Sequence, residues 1–539
     1  MLGIGGGVLA LHGARAQSTL DRAAAPVGPD LRVGDLRGQF DSVFGSVSPP
    51  STRPFTVHYG LGVSESYDDG VPVRTKFGGD LITRISPSVS VSADSRILQG
   101  NLVYAPSLNL YTFHGNQTNV SQNLNGSATA TVAPDLFFID VRAFAADQPA
   151  TGGQGFANTT GTAGQVQTTS FSVTPRLQHR FGGTGTLLLS DTLSRTETHS
   201  SNTTNANTSA NAFNPYGSRA VSGISIINAQ HANFTSGEDY GRLQSSFDLL
   251  NSQTSGSGGV PNSSRLVYGY DANYALDRVF TVTAGVGHET IDYGALTKRI
   301  DDFTWTGGLK VTPDADTLLA VSYGHHDGGN SASLTGNLAP TARTRVFAQY
   351  GQSIGTQLEQ TANNVNSSRT SITGVSYDPV TGAPVQVNNN YAGLTSQPVY
   401  RTTTASITGV LTYDRDTFNL SISQNDSQLL SSSTQTVANG FAASSNSGYQ
   451  ASFAYTHTVS ADLFANTSLQ YSATSSPFRA IGTSRNVNQT SLTFNATLTY
   501  SLSPTLTAVL EYTRINTTGI SLGQAPRRDI ATISLQKTF

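Results

Sequence analysis

Cysteine is absent from all 539 residues, which excludes a disulfide framework and any thiolate metal site. Charge is scarce as well. Asp, Glu, Lys and Arg make up 12% of the chain, about half the share usual in globular proteins. The net charge of −3, with arginines scattered rather than blocked, gives nucleic acid no surface to bind. Beyond the N-terminus there is no run of about 18 apolar residues, so no spanning helix is available. A nucleophile elbow, a P-loop, a dinucleotide fingerprint and a His-Glu-x-x-His helix are all missing. One other way to cross a bilayer survives these absences. A closed barrel needs only every second residue of its strands to be apolar.

What the chain does contain fits that alternative. Residues 491–513 read SLTFNATLTYSLSPTLTAVLEYT. Leu492, Phe494, Ala496, Leu498 and Tyr500 fall on one parity, with Ser491, Thr493, Asn495, Thr497 and Thr499 on the other. The alternation resumes after Pro504 through Leu506, Ala508, Leu510 and Tyr512. Similar pairs of period-two runs around tight Pro, Asp or Arg turns recur at 129–144, 274–287, 311–324, 338–351, 411–424 and 455–472. Ten residues rising about 3.3 Å each and tilted about 40° climb roughly 25 Å, the height of an outer-membrane apolar band.

Between the tight turns lie longer polar stretches at 149–167, 200–221, 355–400 and 428–446. Short turns alternating with long loops predict an all-β fold, a single large antiparallel transmembrane β-barrel with short periplasmic turns and long extracellular loops. Strand starts fall near Phe55, Asp80, Ser95 and Gln122 and continue to Thr505 and Arg528, for about 22 strands within a range of roughly 18 to 24. Residues 55–539 form the barrel in this reading. Residues 1–16 read as a signal peptide ending in Ala14-Arg15-Ala16. Residues 17–54 remain as a periplasmic extension, in which Leu36, Phe40, Val43 and Phe44 have helical spacing. That extension is too short to plug a lumen of this width. Tyr274, Tyr413, Tyr455 and Tyr500 beside short turns, with Tyr293, Tyr323, Tyr350, Tyr471 and Tyr512 at far strand ends, predict two aromatic girdles. Pro87, Pro106 and Pro175 fall inside strands, where each removes a ladder donor and should mark a bulge or a strand end.

Candidate functional residues are few. The 355–400 loop is the longest and nearly uncharged, and it offers Tyr377, Asn388, Asn389, Asn390 and Tyr391. Aromatic faces beside amides suit uncharged sugars, because a ring packs on CH groups while amides bond hydroxyls. Folded inward, this loop would narrow the lumen; left outside, it is a low-complexity surface loop. His288, His325, His326 and Asp327 lie at outer strand ends and carry donors suited to a divalent cation. The same histidines are where a rim hydrolase would keep its base.

The stretches DLITRISPSVSVSADS (80–95), QNLNGSATATVAPDLFFIDVRAFA (122–145) and TSGEDYGRLQSS (235–246), with the hairpin at 274–287, resemble the β-barrel porins found beside exopolysaccharide-assembly genes in Proteobacteria. The resemblance spreads over most of the chain from residue 55. It implies an outer-membrane location and a link to extracellular polysaccharide, and it brings neither catalytic residues nor a cofactor. The terminal IATISLQKTF, with Ala531, Ile533, Leu535 and Phe539 on one face, resembles the C-terminal signal of Gram-negative barrels, although Lys537 departs from it. Expected partners are therefore outer-membrane lipid and lipopolysaccharide, the barrel-assembly machinery through Phe539, polysaccharide, and periplasmic export components.

The functional expectation is a non-enzymatic, porin-like channel passing polar solutes, with exopolysaccharide export as its sharper form. A structural or adhesive surface barrel and an outer-membrane hydrolase are the alternatives. The mature protein is expected to fractionate with outer membranes and to change its gel mobility on boiling. Recovery from the periplasm in soluble form would overturn the barrel.

Overall fold

A strand with one oily face and one polar face also has two edges of unpaired N–H and C=O groups. In a bilayer only closure satisfies both edges. The computed structural model shows this outcome, 22 antiparallel strands closed into one all-β barrel. It describes residues 54–149, 165–200, 223–296, 298–370, 398–431, 445–475, 488–518 and 527–539, with gaps of one to three residues, and the short pieces 376–377, 436–437, 441–443 and 478–480. The segment at 36–44 and the cleavage site lie outside the described residues.

The first strands are β1 (Phe55–Val73), β2 (Lys76–Asp94), β3 (Leu98–Tyr104), β4 (Leu124–Ala133), β5 (Phe137–Pro149), β6 (Gln165–Arg180), β7 (Gly185–Ser200) and β8 (Gly223–Ser236). Next come β9 (Leu243–Ser257), β10 (Ser263–Ala275), β11 (Phe280–Tyr293), β12 (Ile300–Asp314), β13 (Thr317–His326), β14 (Gly329–Thr341) and β15 (Thr344–Gly355). The helix α1 (Gln357–Ser367) follows β15. The ring is completed by β16 (Tyr400–Thr412), β17 (Asp416–Leu429), β18 (Asn446–Thr458), β19 (Leu463–Ser475), β20 (Asn488–Ser503), β21 (Leu506–Thr518) and β22 (Arg527–Thr538). Closure comes from β22 against β1, with Leu535 opposite Val63 and Ile533 opposite Glu65.

Facing follows parity around the ring. On β1, Val57, Tyr59, Leu61 and Val63 are exposed outward, while the inward Ser66 and Asp68 are buried. Ile533, Leu535 and Phe539 continue that outward surface at 61%, 50% and 71% exposure, values a water-soluble surface would not sustain side by side. Inside, hydroxyls meet across the ladder. Ser170 and Thr196 are bonded at 2.8 Å, and Thr174 and Thr192 at 3.0 Å. Among the girdle candidates, Tyr274, Tyr323, Tyr350, Tyr413, Tyr471, Tyr500 and Tyr512 are exposed. Tyr293 departs from the expectation and is buried inside the lumen against Ile291, Ile354 and Val399. The reason is its parity, which it shares with Glu289 and not with the outward Val282 and Val286.

Of the three prolines only Pro106 behaves as expected and marks a strand end; Pro87 and Pro175 lie inside strands and cause no bulge. Pro87 pairs with Leu61 in unbroken register, and Pro175 pairs with Ile139 in unbroken register. Only Pro106 interrupts a strand, and Ser107–Tyr111 then continues β3 along β2 without a slip, since Val89 pairs with Tyr104 and Ile85 with Leu108. That common register sets Pro106 opposite Pro87. Two missing donors at one rung spoil that rung alone and leave its neighbours intact. The bulges instead sit at strand ends, between Thr131 and Ala133, Val311 and Asp314, Leu338 and Thr341, and Ser501 and Ser503 beside short turns, and between Asp68 and Val71 at the other end.

The end of the barrel with longer loops has two short connections as well, at 74–75 and at Asp327-Gly328. The latter is a two-residue hairpin with φ of 55° and 66°. Positive φ at both positions is the primed turn that matches strand twist, and Asp-Gly is its preferred sequence.

Ala496 faces lipid, and its neighbour Thr497 faces the lumen opposite Glu511. Ala496→Arg is expected to cost about 2–4 kcal/mol in a folding titration into bilayers, since it puts a cation near the midplane. Thr497→Arg, next to that carboxylate and water, is expected to be mild. Equal costs would reverse the assignment of the faces.

Candidate functional site

An inner wall of Ser, Thr and Asn cannot fill this barrel. With strands about 4.8 Å apart and tilted about 40°, a circular section would be roughly 44 Å across. The segment after β15 narrows it. Thr356-Gln357-Leu358-Glu359 is a helix start, in which Thr356 Oγ1 accepts from the Glu359 N–H at 3.2 Å and Glu359 Oε2 accepts from the Thr356 N–H at 3.0 Å. This reciprocal cap satisfies two orphan donors, and a lone N-cap of this kind is worth about 1 kcal/mol. Leu358, Ala362 and Val365 then recur at helical spacing and are buried. Leu358 meets Val260, Ala362 packs with Ile227 and Ala229 of β8, and Val365 meets Phe144 of β5.

Both ends are tied to the wall. Near the start, Ser263 Oγ donates to Glu359 Oε1 at 2.8 Å, Gln360 Nε2 donates to Thr402 Oγ1 at 3.0 Å, and Tyr293 donates to the Ile354 carbonyl at 3.4 Å. Ile354 and Val399, which flank the segment, share one apolar cluster with Ile291 and Tyr293. Beyond the helix, Arg142 of β5 donates to Ser368 Oγ at 3.0 and 3.1 Å and to Thr370 Oγ1 at 3.0 Å. The same guanidinium also donates to the carbonyls of Gly126 and Ala143 at 2.7 and 2.8 Å. Thr370 completes the landing on β4. Its N–H donates to Ser127 Oγ at 2.9 Å and its hydroxyl to Asn125 Oδ1 at 2.8 Å. Arg369 and Arg176 flank Asp140 at 3.5 and 3.2 Å.

These tether points decide where the segment runs. β4 and β15 stand eleven places apart in a ring of 22 strands, on opposite sides. Following the wall between them would take roughly 69 Å at the strand spacing and tilt above. The chain from Gly355 to Thr370 reaches at most about 52 Å when extended and about 30 Å with the helix formed, too short to follow the wall. It starts inside the bore because the end of β15 leans inward, where Ile354 meets Ile291 and Tyr293 of β11. Residues 356–370 therefore cut across the lumen. Contacts with β5–β8 along the way place the crossing nearer that side.

The wall on the other side has a different chemistry. From β16 to β20 the lumen parity presents hydroxyls and amides without a charge, including Thr404, Ser406, Ser423, Gln450, Gln470 and Thr497. Charges lie around the crossing and also elsewhere in the bore, as with Arg84 of β2 and Glu511 of β21. Arg265 pairs with Asp327 at 2.8 Å, His326 Nδ1 lies 3.3 Å from the same carboxylate, and Arg401 donates to the Asp327 carbonyl at 2.8 Å. Burial works to raise the Asp327 pKa, and Arg265 and His326 outweigh it, so the carboxyl is held below its ordinary range.

The residues singled out in the sequence separate. Asn388, Asn389, Asn390 and Tyr391 lie outside the described residues, and the backbone of Tyr377 pairs with Arg369. His288 and His325 face outward, His288 at 2.8 Å from Asp301 and His325 bonded to Asn330 at 2.8 Å. His326 and Asp327 turn inward. The four do not converge, and among the described residues no group of His, Cys, Asp or Glu is arranged for a metal ion. The helix and its tethers were missed in the sequence. Thr356-x-x-Glu359 followed by Leu358, Ala362 and Val365 at helical spacing was the available signal. Nothing in the sequence linked Arg142 to Ser368.

A continuous outward apolar belt on a closed barrel is stable only in a membrane that accepts barrels. The protein is an outer-membrane β-barrel. No protein-family model matches the chain, and no curated protein matches it in sequence, so the resemblance to exopolysaccharide-associated porins rests on the quoted stretches alone. Some solved structures are similar to the chain over most of its length. The siderophore receptor PirA from Acinetobacter baumannii is 10% identical, with 91% of this chain and 81% of that one covered at a TM-score of 0.47. The FrpB iron transporter from Neisseria meningitidis, in an apoprotein form, is 11% identical with coverages of 93% and 83% at 0.49. The ferric-catecholate import receptor Fiu from E. coli K12 is 10% identical with coverages of 91% and 82% at 0.48. The likeness is one of fold.

The chain's lack of cysteine makes the crossing directly testable. Phe144→Cys with Val365→Cys is expected to form a disulfide under mild oxidation, and the boiled, unreduced chain to migrate faster than the reduced one. Absence of that cross-link, with the barrel folded, would place residues 356–370 elsewhere.

Proposed function

We propose that the protein is a passive outer-membrane channel for uncharged polar solutes, with glycan chains, including exopolysaccharide, as the solute class. The observation that carries this reading is the pairing of a tethered crossing helix with an uncharged hydroxyl and amide wall from β16 to β20. Solute passes between them. A polar lumen hydrates it, width sets the cut-off, and the absence of charge on that wall removes the electrostatic barrier and the electrostatic trap alike. Sugar hydroxyls find both donors and acceptors along it. The resemblance to exopolysaccharide-associated porins supports the same solute class.

In planar bilayers the purified protein is expected to conduct weakly with little ion selectivity, and soluble neutral oligosaccharides to block the current. Replacing residues 357–367 by a short Gly-Ser linker is expected to raise conductance several-fold. A barrel silent both with and without the helix would favour a closed, structural barrel. Charge-selective conductance that sugars leave unchanged would remove the glycan reading while keeping the channel.

A further inference from the structure

The lipid-facing surface is apolar through most of its belt. Among the described residues Glu65 and Thr83 form a bonded polar pair on β1 and β2 at 2.7 Å, and a larger connected polar patch lies on β7–β9. On β7, Leu187 and Leu189 face outward below Asp191, and Leu193 lies above it; on β8, Phe234 and Ala232 lie below Gln230 and Asn228, and Ile226 above. Asp191 and Gln230 oppose each other, each six residues from the short-turn end of its strand, Gly185 and Ser236. At roughly 2.5 Å of height per tilted residue that is about 15 Å up, within the hydrocarbon. The patch is wired together. Gln230 Nε2 donates to Asp191 Oδ1 at 3.3 Å and to Asn228 Oδ1, and Asn251 Nδ2 of β9 donates to Gln230 Oε1 at 2.8 Å. Directly above, a hollow of about 450 Å³ opens between Ile226, Asn228, Gln253, Ser255, Ser264 and Asp292. Pro175 falls opposite Asp191, between the Val173–Leu193 and Arg176–Ser190 pairs, so a ladder donor is missing at the same level.

Acyl chains offer these groups no hydrogen-bond partner, and a carboxylate facing lipid at this depth is unfavourable. A soluble partner cannot reach the depth. Lipid headgroup phosphates are anionic, and they would meet Asp191, Glu197 and Asp292 on this face. We propose that the patch is a contact surface for a second copy of this chain, related by a two-fold axis along the membrane normal. Amides both donate and accept, so Asn228, Gln230 and Asn251 can pair with the same side chains of the other copy without a charge clash. Just above, Arg195 and Glu197 lie 2.9 Å apart on one strand. Across a two-fold axis Arg195 of each copy meets Glu197 of the other, which is charge-complementary. Leu187, Leu189, Leu193, Ile226, Phe234 and Leu249 surround the polar centre and shield it from lipid.

The cysteine-free chain again supplies the test. Asn228→Cys is compared in native outer membranes with Tyr471→Cys, which is at the same depth on β19, eleven strands away. Oxidation with a membrane-permeant copper complex is expected to give covalent dimers at position 228 and at least ten-fold less at 471. Equal yields at both sites, no dimer at 228, or an adduct with a different protein would overturn the proposal. As a second arm, the doubly substituted Asp191→Leu, Gln230→Leu chain is expected to run as a monomer by light scattering while keeping its heat-dependent gel shift. If that variant kept the wild-type dimer mass the proposal would fail, as it would if the wild type were itself a monomer.

Discussion

In hydrocarbon no water is available to satisfy a backbone N–H or C=O, so every such group must be paired within the protein. This constraint sits beneath the rest of the structure. It makes the pairing of β22 with β1, Leu535 against Val63, as necessary as any interior ladder, because without it two full edges would face lipid. It also explains how the prolines are tolerated. Pro87 and Pro106 share a rung, so the loss stays local, and the bulges that re-aim strands are kept at strand ends.

Closure has a consequence for the interior. A ring of this many strands encloses more space than Ser, Thr and Asn can occupy, so the barrel wall alone leaves a wide, wet bore. The crossing segment answers this with local helix chemistry on one side and long-range tethers on the other. Thr356 and Glu359 start the helix, Leu358, Ala362 and Val365 give it a face to bury, and Arg142 clasps its far end through Ser368 and Thr370. The arginine's donors are largely consumed by the landing, which makes it a structural clasp rather than a free charge in the bore. The wall from β16 to β20 is left to hydroxyls and amides.

The outer face shows the same rule through its exception. Most outward positions in the belt are Leu, Ile, Val, Phe, Tyr, Ala or Gly, and the largest connected departure, at Asp191, Gln230, Asn228 and Asn251, is hydrogen-bonded into one unit. Scattered polar residues would be tolerated individually. A connected set in the hydrocarbon needs a partner of its own kind.

Facing and strand number were legible in the sequence because a β-strand's side-chain period is two and lipid admits only one kind of residue on its side. Twenty-two strands were countable, and β2 at Lys76 and β3 at Leu98 differ from the expected Asp80 and Ser95 by only four and three residues. The same parity would have placed Tyr293 inside had it been followed to the end of β11. The long polar segment after β15 carried its own helix signal in Thr356-x-x-Glu359. Its destination was not in the local sequence, because the contacts of Arg142 with Ser368 and of Asn125 with Thr370 span well over two hundred residues. The separation of His325 from His326 follows the same logic, since neighbours along a strand lie on opposite faces of the wall, while Asp327 reaches inward from the hairpin turn. What the sequence determined by itself was which face of each strand meets lipid, through local alternation. Which residues meet across the lumen was decided only by the tertiary structure, because ring closure brings strands eleven places apart within reach of one short helix.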